Sequence, residues 1–254
     1  MLDKKSLSER DICTKYINPA LEKACWNMKT QIREEVTFTD WKIVAKWKKI
    51  IRLWKRRADY ILYYKSSFPI AIIEAKDNKH SVWDGMQQGL DYARTLDIPF
   101  VFSSNWDWFL EHNRLLDSWE IEKEFSLDNF PSPEELYSRY TWILNITEEQ
   151  KEIIEEPYHM DLSWKQPRYY QRIAINRTIE AISKWTDRIL LVMATWTWKT
   201  YTAFQIIWRL WKSKTKKRIL FLADRNILID QTMSNDFKPF WDVMTKVEKR
   251  QVNK

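Results

Sequence analysis

The sequence predicts a two-unit α/β protein: a mixed sheet flanked by helices, then the beginning of a second α/β unit built on a phosphate-binding loop. Three stretches carry that prediction. RRADYILYYKSSFPIAIIEAK (56 to 76) reads as two apolar strands joined by a turn, and VWDGMQQGLDYARTL (82 to 96) reads as a helix leading into another strand, PFVFSSN. RILLVMATWTWKTYTAF (188 to 204) has an apolar run, a tight turn, Lys199-Thr200 and then a helical pattern.

In chain order, residues 10 to 30 (DICTKYINPALEKACW within them) predict a helix. Strands are expected at about 35–39, 42–46, 58–65 and 69–75. Asp40-Trp41 falls between EEVTF and KIVAK, where Asp-Gly would signal a hairpin joining the first two strands. Residues 125 to 166 turn acidic and proline-containing and predict a linker with short helices. The second unit then reads as helix RYYQRIAINRTIEAI, strand RILLVM, the loop, helix TAFQIIWRLWK and strand RILFLAD, with no internal repeat. The expected organisation is residues 1–124, the linker 125–166, and 167–254.

Bulk composition excludes several classes. No 18-residue apolar stretch exists and MLDKKSLSERDI holds no hydrophobic signal region, so a soluble, cytoplasmic protein with no membrane partner is expected. Cys13 and Cys25 lack metal-ligand spacing and are expected to be reduced and half-buried. A net charge of +7 favours a polyanionic partner, and the charge is local, in KWKKIIRLWKRR (46 to 57) and KSKTKKR (212 to 218).

Glycine and tryptophan are out of proportion. The chain has 2 glycines and 16 tryptophans, whereas average usage near 7% predicts roughly 18 glycines at this length. Many indoles stand in turn-like polar contexts: Trp41, Trp47, Trp54, Trp106, Trp108, Trp185, and Trp119 within Ser118-Trp119-Glu120. Trp26, after a helix, and Trp208 and Trp211, spaced i, i+3 on a helix, read as genuine. Most of the others are read as glycine positions, the pattern produced when UGA codons that a lineage decodes as glycine are translated as tryptophan. The competing reading is a stacking surface for single-stranded nucleic acid.

The first unit places an acid, Asp59, at the start of one strand and Glu74 and Lys76 on the next, two apart and therefore on one face. Two carboxylates of this kind suit Mg²⁺, and a lysine beside them can orient water or stabilise developing charge. These residues, with FTDWKIVAKWKKIIRLWKRRADYILYY, resemble a PD-(D/E)xK nuclease core, and more narrowly the amino-terminal region of type I restriction endonuclease motor subunits. The resemblance implies Asp59 and Glu74 as metal ligands, Lys76 as the catalytic lysine, Glu35 of QIREE as a further acidic member, and Gln88 and Tyr92 as a helical pair facing the metal or the DNA.

The second unit resembles the start of a superfamily 2 helicase, an incomplete RecA-like P-loop domain. With glycine at 196 and 198, MATWTWKT matches motif I. The resemblance implies an ATP cradle of Thr195, Trp196, Thr197, Trp198, Lys199 and Thr200, with Lys199 on the β/γ-phosphates and Thr200 on Mg²⁺. Taken as tryptophan, the indoles at 196 and 198 should hinder ATP binding. QPRYYQRIAI resembles the Q motif, in which Gln171 would read adenine, and ILFLADRNILIDQT resembles motif Ia, with Asp224, Arg225 and Asn226 at a strand end.

Together the resemblances imply the amino-terminal portion of a type I restriction subunit. Such an enzyme cuts double-stranded DNA with Mg²⁺, moves along it with ATP, and works with methyltransferase and specificity subunits. The sequence closes at QVNK before any Asp-Glu box, so the 254 residues alone are not expected to translocate. Alternatives are another nuclease-helicase fusion, of type III restriction or repair, or a silent DNA-binding or assembly fragment.

Overall fold

The computed structural model describes residues 8–39, 44–46, 49–51, 55–76, 82–105, 107–117, 121–161, 165–224 and 226–247. The chain divides into two compact units, Met1–Lys151 and Glu152–Lys254.

The first unit opens with α1 (Glu9–Ile12), a π-helical turn (Cys13–Ile17) and α2 (Asn18–Lys23). Pro19 fits the first turn of α2, where its missing N–H costs nothing. The helical segment stops well before residue 30: Cys25 takes φ 66, and Trp26 turns inward, buried, its indole N–H donating to Pro131 O at 2.9 Å.

Six strands form one mixed sheet: β1 (Ile32–Thr39), β4 (Lys55–Lys65), β5 (Phe68–Ala75), β6 (Phe100–Ser104), β7 (Trp108–Asn113) and β8 (Glu122–Ser126), in that spatial order. Only the β5–β6 pair is parallel, and α3 (Val82–Leu96) makes the crossover between them. Nearly every residue of β5 and β6 is buried, as the apolar runs FPIAII and PFVF require of strands covered on both faces.

The expected hairpin between the first two strands does not form. β1 pairs with β4, Phe38 opposite Arg56, while β2 (Val44–Lys46) pairs only with β3 (Lys49–Ile51) in a separate ribbon. Asp40-Trp41 itself lies outside the described residues. The long antiparallel register with β4 buries Ile32 and Phe38 of β1, an outcome that a local turn signal cannot report.

The stretch read as a linker is partly core. It takes in the end of β8 and carries α4 (Pro133–Ile143), whose Ser132 cap accepts from Glu135 N–H at 3.1 Å. Leu136, Tyr137 and Tyr140 of α4 are buried, and Tyr137 stacks on Tyr64 of β4 at 3.9 Å. Arg139 makes a double hydrogen bond to the buried carboxylate of Glu111 in β7. Since Val101 faces α3, strand alternation turns Phe100 to the other side, where Arg139 lies over its ring at 5.0 Å, so α3 and α4 cover opposite faces.

In the second unit α5 (Glu148–Glu155) is followed by α6 (Tyr169–Ser183), α7 (Lys199–Lys212), α8 (Asn226–Ser234) and a 3-10 segment, Lys238–Val243. Tyr201, Phe204, Phe237 and Phe240 form its core, with Trp208 and Trp211 packed against them. Arg209 is buried on α7 and binds Asn176 Oδ1 at 2.8 Å and Ile154 O, tying α7 to α6 and α5.

The two expected strands of this unit are not strands. Residues 188–194 and 218–223 carry no sheet pairing, and several of their apolar side chains are exposed, Leu190 86% and Val192 88%, while Phe221 packs on the unit's core. A strand needs a neighbour for its N–H and C=O groups, and among the described residues none lies alongside. The RecA-like sheet expected here is therefore absent from the described residues, whereas the two helices flanking the loop form as expected.

Candidate active site

Register sets the geometry of the first unit. Tyr60 lies opposite Ile73, Glu34 opposite Tyr60, and Glu74 opposite Ser103. Asp59 and Glu74 are therefore neighbours across β4 and β5, at the end of the sheet where α3 arrives. Glu74 is fully buried. Asp59 is half-buried, and its Oδ2 accepts from Ala75 N–H at 2.9 Å, which fixes the carboxylate beside the end of β5.

One side chain joins Glu74 to the lysine. Gln88, on α3, donates Nε2 to Glu74 Oε2 at 2.9 Å and to the Tyr92 hydroxyl oxygen at 3.1 Å, and its Oε1 accepts from Lys76 Nζ at 3.1 Å. Asp59, Glu74, Lys76, Gln88 and Tyr92 are thus brought together at one sheet end. Tyr92 is held by Phe38 edge-on at 5.1 Å and by the Arg56 guanidinium at 5.9 Å. Burial first, and the Glu74 charge second, push the Tyr92 phenol above its ordinary pKa, so it stays protonated near neutrality.

Glu35 is placed differently. It lies in the same row on β1, but with φ 50, and its carboxylate meets Arg57 at 3.6 Å and Arg10 at 3.8 Å. Among the described residues no three His, Cys, Asp or Glu side chains converge as a metal-holding group. The carboxylates that the register brings side by side are the Asp59–Glu74 pair. Mg²⁺ is commonly held by one or two carboxylates with water completing its shell, so the pair fits that ion.

In the second unit Trp198 is the residue before α7, with φ 59 and ψ 52, and Trp196 has φ 68. Two left-handed residues within three positions give the tight loop that a phosphate cradle uses, but the residues holding that shape carry Cβ atoms. Trp196 is 90% exposed and Trp198 54%, the latter under the Lys165 ammonium at 4.5 Å. Thr197 Oγ1 donates to Ala194 O at 2.6 Å, Thr195 lies in the turn, and Lys199 and Thr200 occupy the first turn of α7, where free N–H groups and the helix dipole favour an anion.

Gln171 is buried, and its amide N–H donates to the loop carbonyls of Thr197 at 3.1 Å and Trp198 at 3.4 Å, while its oxygen accepts from Arg168 N–H at 2.9 Å. The amide braces the loop from beneath. The motif Ia expectation is only partly described: Asp224 precedes α8 and Asn226 begins it, at a helix start instead of a strand end, and Arg225 lies outside the described residues.

Other expectations resolve individually. Trp185 follows α6 with φ 60, its N–H bonded to Ile182 O and that of Thr186 to Ala181 O, a Schellman ending in which glycine is the usual occupant. Trp108 opens β7 and is not in a turn, while Trp41, Trp47, Trp54, Trp106 and Trp119 lie outside the described residues. Cys13 is half-buried, but Cys25 is exposed; neither is in a disulfide. Sequence reading missed Arg56 and Phe38 as supports of Tyr92 and Lys165 as a neighbour of the loop. Arg56 stood in a basic run, but only the β1–β4 register shows where it points.

With the geometry in place, the comparisons are specific. The chain is 53% identical over 253 residues, 99% of its length, to the type I restriction enzyme EcoAI endonuclease subunit of Escherichia coli. The chain is a homologue of type I restriction-enzyme endonuclease subunits. It is also 28% identical to the EcoKI endonuclease subunit of Escherichia coli strain K12, over 69% of this chain. A solved fragment of a putative HsdR subunit of a type I restriction enzyme from Vibrio vulnificus YJ016 is similar, with TM-score 0.70 and 39% identity over 82% of this chain and 39% of that one. Residues 165–254 match the family model "Type III restriction enzyme, res subunit". The chain spans 31% of the EcoAI subunit and 18% of the EcoKI subunit.

Proposed function

We propose that the first unit is a Mg²⁺-dependent DNA endonuclease and that the whole protein couples it to ATP-driven movement along double-stranded DNA, as the restriction subunit of a type I restriction-modification enzyme. One observation carries the nuclease half: Glu74 and Lys76 meet through the Gln88 amide at one sheet end, with the Asp59 carboxylate fixed beside them by the Ala75 N–H. Asp59 and Glu74 would hold the ion, which supplies a polarised phosphate and a more acidic water when bound. Glu74 is oriented by Gln88. Lys76, held by the amide oxygen, places a cation where charge develops on the phosphate. Tyr92, kept neutral, caps Gln88 from the side of Arg56.

The loop carries the ATP half: Lys199 and Thr200 would hold the β/γ-phosphates and the nucleotide-bound Mg²⁺, and Gln171 would keep the loop carbonyls turned inward. We read Trp185, Trp196 and Trp198 as glycine positions, because all three have the left-handed backbone that glycine adopts without a Cβ clash. Cys25, Asp97, Asn145 and Lys214 also take positive φ, each after a helix, so Trp185 alone decides little; two such residues inside one loop decide more. Methyltransferase and specificity subunits are the expected partners. Among the described residues no helix is long and apolar enough to cross a membrane, in keeping with action in the cytoplasm.

The test is cleavage of supercoiled plasmid by the purified chain in Mg²⁺, with EDTA as control. Asp59→Ala and Lys76→Ala should each abolish it, and cutting that survives both substitutions sinks the site assignment. Reading the codons at 185, 196 and 198, with mass spectrometry of the native protein, settles the recoding.

A further inference from the structure

The chain's two glycines, Gly85 and Gly89, lie one turn apart on α3, directly over the sheet beside the acidic pair. Neither has room for a side chain. A Cβ at Gly85 would stand 2.3 Å from Ser103 Oγ and 3.0 Å from Lys76 Cγ; one at Gly89 would stand 2.7 Å from Val101 Cγ1 and 3.4 Å from Glu74 Cγ. The helix backbone therefore rests on the very residues that flank Glu74 and Lys76. Ser103, register partner of Glu74, is fully buried, and its hydroxyl has no hydrogen-bond partner among the described residues. That hydroxyl takes no part in the Gln88 network; it fills the space that a side chain at 85 would need.

Depth matters because the Gln88 contacts are short, 2.9 Å to Glu74 and 3.1 Å to Lys76. With Ser103 Oγ in its present rotamer, restoring an ordinary contact of about 3.5 Å at position 85 lifts the helix by roughly 1 Å. Lifting it that far carries both contacts out of hydrogen-bond range.

We infer that Gly85 and Gly89 are positioning residues of the proposed nuclease site, setting the depth of α3 so that the Gln88 amide clamps Glu74 and Lys76. The inference rests on the nuclease reading above.

The experiment uses the whole chain and three variants: Gly85→Ala, Ser103→Ala and the double variant. Ser103→Ala should cut like the parent. Gly85→Ala should lose about 10²-fold in kcat, the scale of a 1 Å misplacement, with KM for DNA within about threefold. The double variant should recover to within about tenfold of the parent, because the Ser103 Cβ lies 3.4 Å from the added carbon, an ordinary contact, and the Lys76 Cγ at 3.0 Å then has to give by only a few tenths of an ångström. Parent-like cutting by Gly85→Ala, or no recovery in the double variant, overturns the inference. If the parent chain shows no Mg²⁺-dependent cutting, the nuclease reading fails, and the depth lock is read from thermal unfolding of the same variants. There, recovery of the Gly85→Ala loss by Ser103→Ala supports the lock, and equal loss in single and double variants overturns it.

Discussion

Replacing Trp196 and Trp185 by glycine should stabilise the second unit, the reverse of what removing large aromatic residues usually does. Trp196 is 90% exposed and Trp185 79% exposed, so little burial is lost. Each holds a left-handed backbone at φ 68 and φ 60, a conformation costing a Cβ-bearing residue about 1–2 kcal/mol. Glycine removes that clash but brings a more flexible unfolded chain, offsetting roughly 0.5–1 kcal/mol. The net is about 0.5–1 kcal/mol for each site, or about 1–2 kcal/mol for the pair if the two are independent. Trp198→Gly gains less, since it also loses the Lys165 contact at 4.5 Å, a cation–π interaction of about 0.5–1 kcal/mol. Trp26→Gly is the opposite control: its ring is buried and hydrogen-bonded to Pro131, and losing it should cost about 3–5 kcal/mol. Urea unfolding followed by far-ultraviolet circular dichroism measures all four. A lower midpoint for both Trp185→Gly and Trp196→Gly refutes the reading of these sites as glycine positions.

Three further outcomes are expected. Arg139→Ala leaves the buried Glu111 carboxylate without its partner, which should destabilise the first unit by about 3–5 kcal/mol; an unchanged urea midpoint would show that α4 does not need the pair. Gln88→Ala should lower plasmid cutting about 10²-fold, whereas Tyr92→Phe, which keeps the Gln88–Glu74 bond, should cost less than about tenfold; equal losses would show that the amide is not the central contact. His159 is held below its ordinary pKa, first by burial against Phe204 and Trp208 and then by the Lys212 charge, with Asp161 opposing. The unfolded state then takes up the proton first as pH falls, so the contribution is full above the unfolded pKa near 6.5 and is lost as pH drops through the lower folded value. Melting temperature should fall from pH 7.5 toward acid, and His159→Phe should flatten that slope.

What the sequence could show follows from how local each signal was. Strands β4, β5 and β6 and helix α3 were legible because long apolar runs and helical spacing are properties of the segment itself. The partner of β1 was not legible, because β4 outcompetes a nearby turn through seven register pairs that no short window contains. Strand β7 hid behind the tryptophans at 106 and 108, and α4 behind a composition that resembles linker. The failed strands of the second unit show the converse: RILLVM has strand character, yet without a neighbouring backbone it stays unpaired. In the site, Asp59, Glu74 and Lys76 followed from spacing, Gln88 and Tyr92 came only through family resemblance, and the two helical glycines gave no signal, since glycine inside a helix reads as a weakness.

Glu35 has a consequence for association as well as for the acidic row. It sits mid-way along β1, an outer strand of the sheet, with φ 50 and its carboxylate shared by Arg10 and Arg57. A left-handed residue there breaks the even run of outward N–H and C=O groups that a foreign strand would need as a template. The charges around it make the approach less favourable still. The left-handed residue and its paired charges make this border of the sheet a poorer template for edge-to-edge pairing, and among the described residues β4 is the strand that β1 pairs with.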